Sequence, residues 1–165
     1  MKVIQEKILD QLIDEAKTSP RLRKNLNLHT QLDEPIQRMC NAFEPDTYVR
    51  PHRHPQAGVW ELFVVLTGKA DVVLFDQDGT VTERVTLSAG GPNYVVEIPP
   101  QTWHSVVSQQ TGTVLFEVKQ GPYEPLTEQD FASWAPKENS AQAADLLAWL
   151  RRCPVGQQAP VLVLC

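Results

Sequence analysis

The sequence predicts a mainly β, antiparallel fold with a helical segment at each end of the chain. Between residues 36 and 118, seven short apolar segments are separated by turn residues, with no helical pattern between them. Strands at this spacing are typical of an antiparallel sandwich or barrel. We expect one domain, with an N-terminal helix in residues 1–20, the β structure in residues 21–120, and a helical extension and tail in residues 121–165.

The first element is an amphipathic helix predicted over residues 3–17. Ile4, Ile8 and Leu12 recur at four-residue steps, and Pro20 follows the end of the pattern. We expect this helix to pack on the outside of the domain.

A different pattern follows the helix, because polar and apolar residues alternate through residues 21–29. Period two predicts a strand with one polar face. Arginine binds carboxylate or phosphate through paired hydrogen bonds, so this face is a candidate for holding an anionic substrate. An exposed edge strand without a ligand explains the same pattern equally well. The polar residues are Arg21, Arg23, Asn25, Asn27 and His29.

The other strands are bounded by turn signals. Asp78-Gly79 predicts a hairpin, and after residue 121 helices are predicted from Thr127 and from Ser140 to Arg152. The apolar tail, residues 160–165, is predicted to add a strand at a sheet edge or to pair between chains. The strands are predicted at residues 36–43, 61–66, 69–75, 81–87, 94–98, 105–107 and 114–118.

Composition and charge argue against several classes of function and location. The net charge is −5 and there is no basic stripe, which argues against a nucleic-acid partner. Apolar runs are too short to cross a bilayer, and charges near the start of the chain interrupt any signal-peptide core. The three cysteines have no metal-type spacing, which favours reduced thiols, so we expect a cytoplasmic protein without a membrane partner.

Histidines cluster in two short pieces of the chain. His52 and His54 are two residues apart, so on an extended chain both imidazoles point to one face. Glu61 opens the next strand, and His104 begins another after Pro99. Imidazoles and a carboxylate converging inside a β structure are the ligands of a divalent metal ion.

These pieces resemble the two sequence motifs of the cupin superfamily. The first is His52-x-His54 with Glu61 and Gly68 downstream, and the second runs from Pro99 to His104. The resemblance implies a jelly-roll β-barrel that binds one divalent metal, Fe, Mn, Ni or Zn, through the three histidines and Glu61. The gap between His54 and Glu61 is longer than is usual in the family, so Gln56 is the alternative oxygen ligand.

A closer resemblance covers most of the chain and is to the WbuC family of cupin-fold metalloproteins. It is carried by Ser19-Pro-Arg-Leu-Arg23, Arg50-Pro-His-Arg-His54, Trp60-Glu-Leu-Phe-Val, Trp103-His104 and Phe116-Glu-Val-Lys-Gln-Gly-Pro122. That family is associated with bacterial surface-polysaccharide gene clusters.

The resemblance implies a fold and a metal site rather than a reaction. We expect an enzyme, an isomerase or a dioxygenase, that acts on a small polar metabolite, anionic and sugar-derived. Arg21, Arg23 or Arg50 would hold the negative group, and His29 is the first candidate for the catalytic base. The alternative is a non-catalytic ligand-binding or regulatory module. A homodimer is expected by the same resemblance.

Overall fold

A computed structural model describes residues 1–162 of the chain, which form a β sandwich flanked by two helices. Helix α1 spans Glu6–Thr18, and α2 spans Ala141–Leu150. The strands are β1 (Arg23–Asn27), β2 (Ile36–Phe43), β3 (Glu61–Thr67), β4 (Lys69–Phe75), β5 (Val81–Ser88), β6 (Val95–Ile98), β7 (Trp103–Ser108) and β8 (Thr113–Gln120).

The strands divide into two antiparallel sheets. One has five strands in the order β1-β2-β8-β3-β6, and the other has three in the order β5-β4-β7. Neighbours in the larger sheet are distant in sequence, since β8 lies between β2 and β3. The predicted mainly β, antiparallel fold with flanking helices is confirmed.

Alternating side chains give each sheet a buried inner face and an outer face that a helix covers. The inner faces meet in an apolar core that includes Phe63, Val72 and Leu115. Helix α1 packs on the outer face of the five-stranded sheet, where Leu12 contacts the cluster around Cys40. Helix α2 packs on the outer face of the three-stranded sheet. This layering is the one that amphipathic helices and half-apolar strands require.

The segment that carries His52 runs alongside β7. The His52 and His104 backbones exchange two hydrogen bonds of 3.0 and 2.9 Å. On its other side the segment pairs with residues 130–132, through Arg53 N–H to the Asp130 carbonyl at 2.9 Å and Ala132 N–H to the Pro51 carbonyl at 2.9 Å.

Because of this pairing, the helix predicted from Thr127 does not continue beyond its first turn. A 3₁₀ turn spans Glu128–Asp130, with the Thr127 and Asp130 side chains forming a capping box, and the chain then becomes extended. The local start signal was read correctly, but hydrogen bonding to the histidine segment replaces further helix.

Near the C-terminus, residues 157–159 run beside the β4–β5 hairpin, where the Val81 amide donates to the Gln157 carbonyl at 2.9 Å. The end of the predicted tail strand, residues 163–165, lies outside the described residues. Within residues 1–162, neither helix has the length and apolar character needed to cross a membrane.

Candidate metal centre

Four side chains from three parts of the fold converge at one end of the sandwich. His52 and His54 come from the segment beside β7, Glu61 begins β3, and His104 lies near the start of β7. One ligand atom from each lies within 4.8 Å of all the others. Glu61 and His104 are buried, with 3% and 2% of their surfaces exposed.

The spacing of these atoms fits a shared metal ion. Glu61 Oε1 lies 2.9 Å from His54 Nε2, and Glu61 Oε2 lies 2.8 Å from His104 Nε2. Ligands about 2.1 Å from one ion and at right angles to each other are about 3 Å apart. Despite these distances, buried His54 Nε2 and Glu61 Oε2 form no hydrogen bond of acceptable geometry. Buried polar atoms normally have a partner, and a cation between them would supply one.

Backbone contacts orient two of the imidazoles towards this centre. His52 Nδ1 is 2.9 Å from the Arg50 carbonyl, and His104 Nδ1 is 2.9 Å from the Thr102 carbonyl. A carbonyl can only accept, so each Nδ1 carries a proton and donates it. Each Nε2 therefore presents its lone pair to the centre, as a metal-binding histidine requires.

The electrostatics of the centre favour a bound cation. Burial, reinforced by nearby His104, lowers the pKa of His52 to about 3, so this imidazole stays neutral and able to bind a metal. Burial opposes ionisation of Glu61, but His104 and Lys119 outweigh it and hold the pKa of the Glu61 carboxyl well below its usual range. Burial also disfavours a charged His104, yet Glu61 raises the pKa of His104. The carboxylate thus attracts positive charge, which either a proton or a metal ion can provide.

A buried ionic group next to Glu61 was missed by the sequence reasoning. Lys119 Nζ lies 3.2 Å from Glu61 Oε1 and 2.8 Å from Glu117 Oε1, and the Asn41 amide donates to Glu117 Oε2 at 2.6 Å. Burial raises the pKa of Glu117. Burial opposes the charge on Lys119, but Glu117 and Glu61 outweigh it and raise the Lys119 pKa.

A signal for this group was present in the sequence. Leu115, Glu117 and Lys119 alternate with apolar residues on one strand, and Leu115 belongs to the inner core. Period two therefore places the two charged residues on the inner face as well. Which strand they would face could not be read from the sequence.

A cavity of about 530 Å³ opens from the metal centre between the sheets. Its wall includes Glu61, His52, His104, Glu117 and Lys119. The polar face predicted in residues 21–29 also lines it, so the structure brings this face and the histidine cluster to one cavity. The predicted residues in the wall are Arg21, Arg23, Asn25, Asn27, His29 and Arg50.

The arginines of the wall are already engaged within the protein. Arg21 binds both carboxylate oxygens of Glu138, at 3.0 and 3.1 Å. Arg23 contacts Glu138 Oε1 at 2.5 Å and the Tyr48 carbonyl at 3.0 Å. Arg50 donates to the Ala135 carbonyl at 3.1 Å, and its guanidinium lies 4.7 Å from the centre of the Phe131 ring.

The other predicted site residues have more local contacts. Asn25 donates to the Asn27 side chain at 2.7 Å. His29 is buried, and its Nδ1 lies 3.0 Å from both the amide nitrogen and the carbonyl oxygen of Arg38. Gln56, the alternative oxygen ligand, instead donates to Glu124 at 2.6 Å, and Glu61 occupies the position beside the imidazoles.

Solved structures with the same fold include cupins. A cupin superfamily protein from Desulfitobacterium hafniense is 16% identical, with a TM-score of 0.50, over 73% of this chain and 95% of that one. TT1209 from Thermus thermophilus is 18% identical, with a TM-score of 0.52, over 73% and 97%. A protein of unknown function from Streptococcus pyogenes is 13% identical, with a TM-score of 0.51, over 74% and 90%. These similarities establish the cupin fold, and together with the histidine and glutamate cluster they support a metal-binding cupin.

The sequence comparisons identify a family without an assigned activity. No curated protein matches the chain. The family described as "Domain of unknown function (DUF6016)" matches residues 4–87, a stretch that contains His52, His54 and Glu61 but ends before His104. Since this match covers more than half of the 165 residues, the chain belongs to the DUF6016 family.

Proposed function

We propose that this protein is a metal-dependent enzyme that binds one divalent ion through His52, His54, Glu61 and His104 and acts on a small polar metabolite. The observation that carries the proposal is the convergence of four ligand atoms within 4.8 Å in a buried pocket. Buried charge without a partner is costly, and such clusters in a cavity are the usual form of a functional site.

The donor set is suited to Fe, Mn, Ni or Zn. When bound, such an ion supplies Lewis-acid polarisation of a substrate oxygen and activation of water or oxygen, which suits an isomerase or a dioxygenase. The chain's own residues would orient the substrate. The cavity wall presents amides at Asn25 and Asn27, and His29, which also lines the wall, is the proposed catalytic base.

The substrate is proposed to be anionic and sugar-derived. The resemblance to the WbuC family supports this proposal and suggests a role in surface-polysaccharide biosynthesis. Arg21, Arg23 or Arg50 would hold the anionic group at the cavity wall. A cytoplasmic location and a homodimer are part of the same proposal, in a single cupin domain with its β structure in residues 21–120.

The test is a metal analysis of untagged protein, followed by a screen of sugar acids and sugar nucleotides for chemical change. We expect about one divalent ion per chain, turnover of at least one screened compound, and loss of turnover in both His52→Ala and Arg23→Ala. Unchanged turnover in both variants would contradict the proposal.

The alternative is a ligand-binding or regulatory cupin in which the metal only anchors a ligand. It is favoured by the engagement of Arg21 and Arg23 with Glu138, which leaves the predicted anion contacts occupied. The same screen separates the two functions. Binding without chemical change, across compounds that stabilise the protein against heat, would support the alternative.

A further inference from the structure

The buried ionic group on β8 offers a ligand contact to which the sequence analysis gave no role, although Glu117 and Lys119 lie in the segment Phe116–Pro122 that carries the WbuC resemblance. Lys119 lies opposite Glu61 in the pairing of β8 with β3, and its side chain is 16% exposed. Removing a lysine from water has a large cost, so a lysine inside a sandwich needs a reason beyond stability.

The hydrogen bonds of Lys119 leave part of its donor capacity unused. An ammonium group has three N–H donors. Within residues 1–162, Lys119 contacts two acceptors, Glu61 Oε1 at 3.2 Å and Glu117 Oε1 at 2.8 Å. Glu117 is itself held by Asn41, whose amide donates to Glu117 Oε2 at 2.6 Å. At least one donor remains for a group that enters the cavity, because buried Glu117 Oε1 takes no hydrogen bond of acceptable geometry despite its distance.

The arginines of the same wall are in a different situation. Glu138 engages both nitrogens that Arg21 offers in a bidentate pair, and Arg23 divides its donors among Glu138, Thr47 and Tyr48. An anion that bound either arginine in the place of Glu138 would have to compete with that carboxylate. Lys119, by contrast, lies beside the metal centre and needs no displacement.

We propose that Lys119 is the specificity-determining contact for the substrate's anionic group, which it binds next to the metal centre. The two neighbouring carboxylates, Glu61 and Glu117, oppose an anion at this position, whereas the bound ion and Lys119 attract it. The ligand class that fits is a small carboxylate with a neighbouring oxygen, such as a 2-hydroxy acid. This inference rests on the proposed metal site, and it replaces Arg21, Arg23 and Arg50 with Lys119 as the contact for the anionic group.

The test compares lactate with its neutral amide, lactamide, on protein loaded with Co²⁺. Cobalt uptake is measured first, and each compound is then titrated by calorimetry while the visible cobalt spectrum reports binding at the metal. A lost charge-assisted hydrogen bond should weaken lactate binding to Lys119→Met by about tenfold or more, with lactamide binding little changed. The matched control is Lys24→Met, which changes another lysine of the same cavity that pairs with Glu15 on the surface, and it should bind lactate like the wild type.

A second variant guards against a folding artefact. Glu117→Gln removes a negative charge next to Lys119, so it should strengthen lactate binding while Lys119→Met weakens it. General damage to the fold would weaken lactate binding in both variants, so opposite effects on lactate affinity at these two positions cannot be explained by it. Equal lactate affinity in wild type and Lys119→Met, or no preference of the wild type for lactate over lactamide, would overturn the inference.

Failure of the proposed metal site can be distinguished from failure of the inference about Lys119. Failure to take up cobalt would overturn the proposed function. The lysine comparison would then be made by calorimetry on the metal-free protein, and equal lactate affinities there would overturn this inference too.

Discussion

The two ends of the sandwich are built on the same strands but have opposite interiors. At one end the inner face is apolar. At the other end, two to four residues further along each strand, the inner face carries charged side chains. The apolar end carries Phe43, Val65 and Leu115, and the ionic end carries Glu61, Glu117 and Lys119. The two ends meet where Phe63 lies opposite Glu117 and Asn41 lies opposite Leu115.

This difference separates stability from function within one fold. Burial of apolar side chains stabilises the folded state, whereas a buried ionic group contributes little or destabilises it. The apolar end can therefore hold the strands in register while the ionic end keeps its charges close together. Substitutions at the two ends should consequently affect different measurements.

The largest effect is expected at the ionic end, from His104→Ala. Removing a ligand imidazole should lower metal affinity by at least about a hundredfold, beyond the ~10–100-fold typical of residues that only support a ligand. Metal content after dialysis against a weak chelator measures this effect. His29→Ala is the control, because His29 is also buried but contacts the Arg38 backbone and should keep its metal. Equal metal content in wild type and His104→Ala would contradict the assignment of the metal site to the ionic end.

At the apolar end, Leu115→Ala should lower the stability of the protein and leave its metal binding unchanged. Leu115 is fully buried, and such a truncation costs about 2–5 kcal/mol of unfolding free energy. Urea denaturation measures the loss, and metal bound per folded chain should not change. Leu66→Ala, on a side chain that is 37% exposed, should stay within about 1 kcal/mol of the wild type. Loss of metal from folded Leu115→Ala would show that the two ends are coupled.

Gly68, the glycine that ends the first cupin-like motif, lies at the apolar end. Its φ is +72°, and a Cβ there would approach the Thr113 Cα to 2.6 Å. Gly90 has a similar φ of +78° with no atom within 4 Å of an added Cβ. Gly90→Ala should cost about 1 kcal/mol for the backbone conformation alone. Gly68→Ala should cost roughly 1–3 kcal/mol more, because the crowded backbone has to shift.

Thermal and urea unfolding of the two glycine variants give the comparison directly. Equal destabilisation would show that the turn, and not the contact with β8, explains the glycine at position 68.

Local patterns predicted most of the strands, and tertiary pairing explains what they missed. Strand β2 was predicted with its observed bounds, because Pro35 and the turn signal Glu44-Pro45-Asp46 mark its two ends in the sequence. The helix from Thr127 was wrong beyond its first turn, because residues 130–132 pair with the histidine segment. The choice between Glu61 and Gln56 also depended on where a loop folds, and the structure places Glu61 in the cluster.

The interior partners of the site could be predicted only in part. The polar face of residues 21–29 was recognised from its alternation, but its carboxylate partner, Glu138, lies more than a hundred residues along the chain. Lys119 was given no role, although it lies in the segment Phe116–Pro122 that carries the WbuC resemblance, because the sequence of neither strand reveals the register that places Lys119 opposite Glu61. Gln101, within the second cupin-like motif, has a φ of +60°, a backbone conformation that favours glycine and that its side chain does not reveal.

The smallest effect concerns the mouth of the cavity, where Glu138 links the polar face to the C-terminal segment. Burial opposes ionisation of Glu138, but hydrogen bonds and charge from Arg21 and Arg23 outweigh it and lower the Glu138 pKa. The unfolded chain therefore takes up a proton at this carboxyl before the folded chain does as the pH falls. The stability that Glu138 contributes is thus complete above its ordinary pKa of about 4.5 and is lost at lower pH.

Glu138→Gln should be less stable than the wild type by about 1 kcal/mol near neutral pH, as expected for a partly exposed ion pair. That difference should shrink as the pH falls below about 4.5, because the other carboxyl groups titrate alike in both proteins and cancel. Urea unfolding of the two proteins across this pH range measures it. If the difference in unfolding free energy does not change with pH, Glu138 stabilises the protein through packing and not through its charge. It would then act as the side chains of the apolar end do.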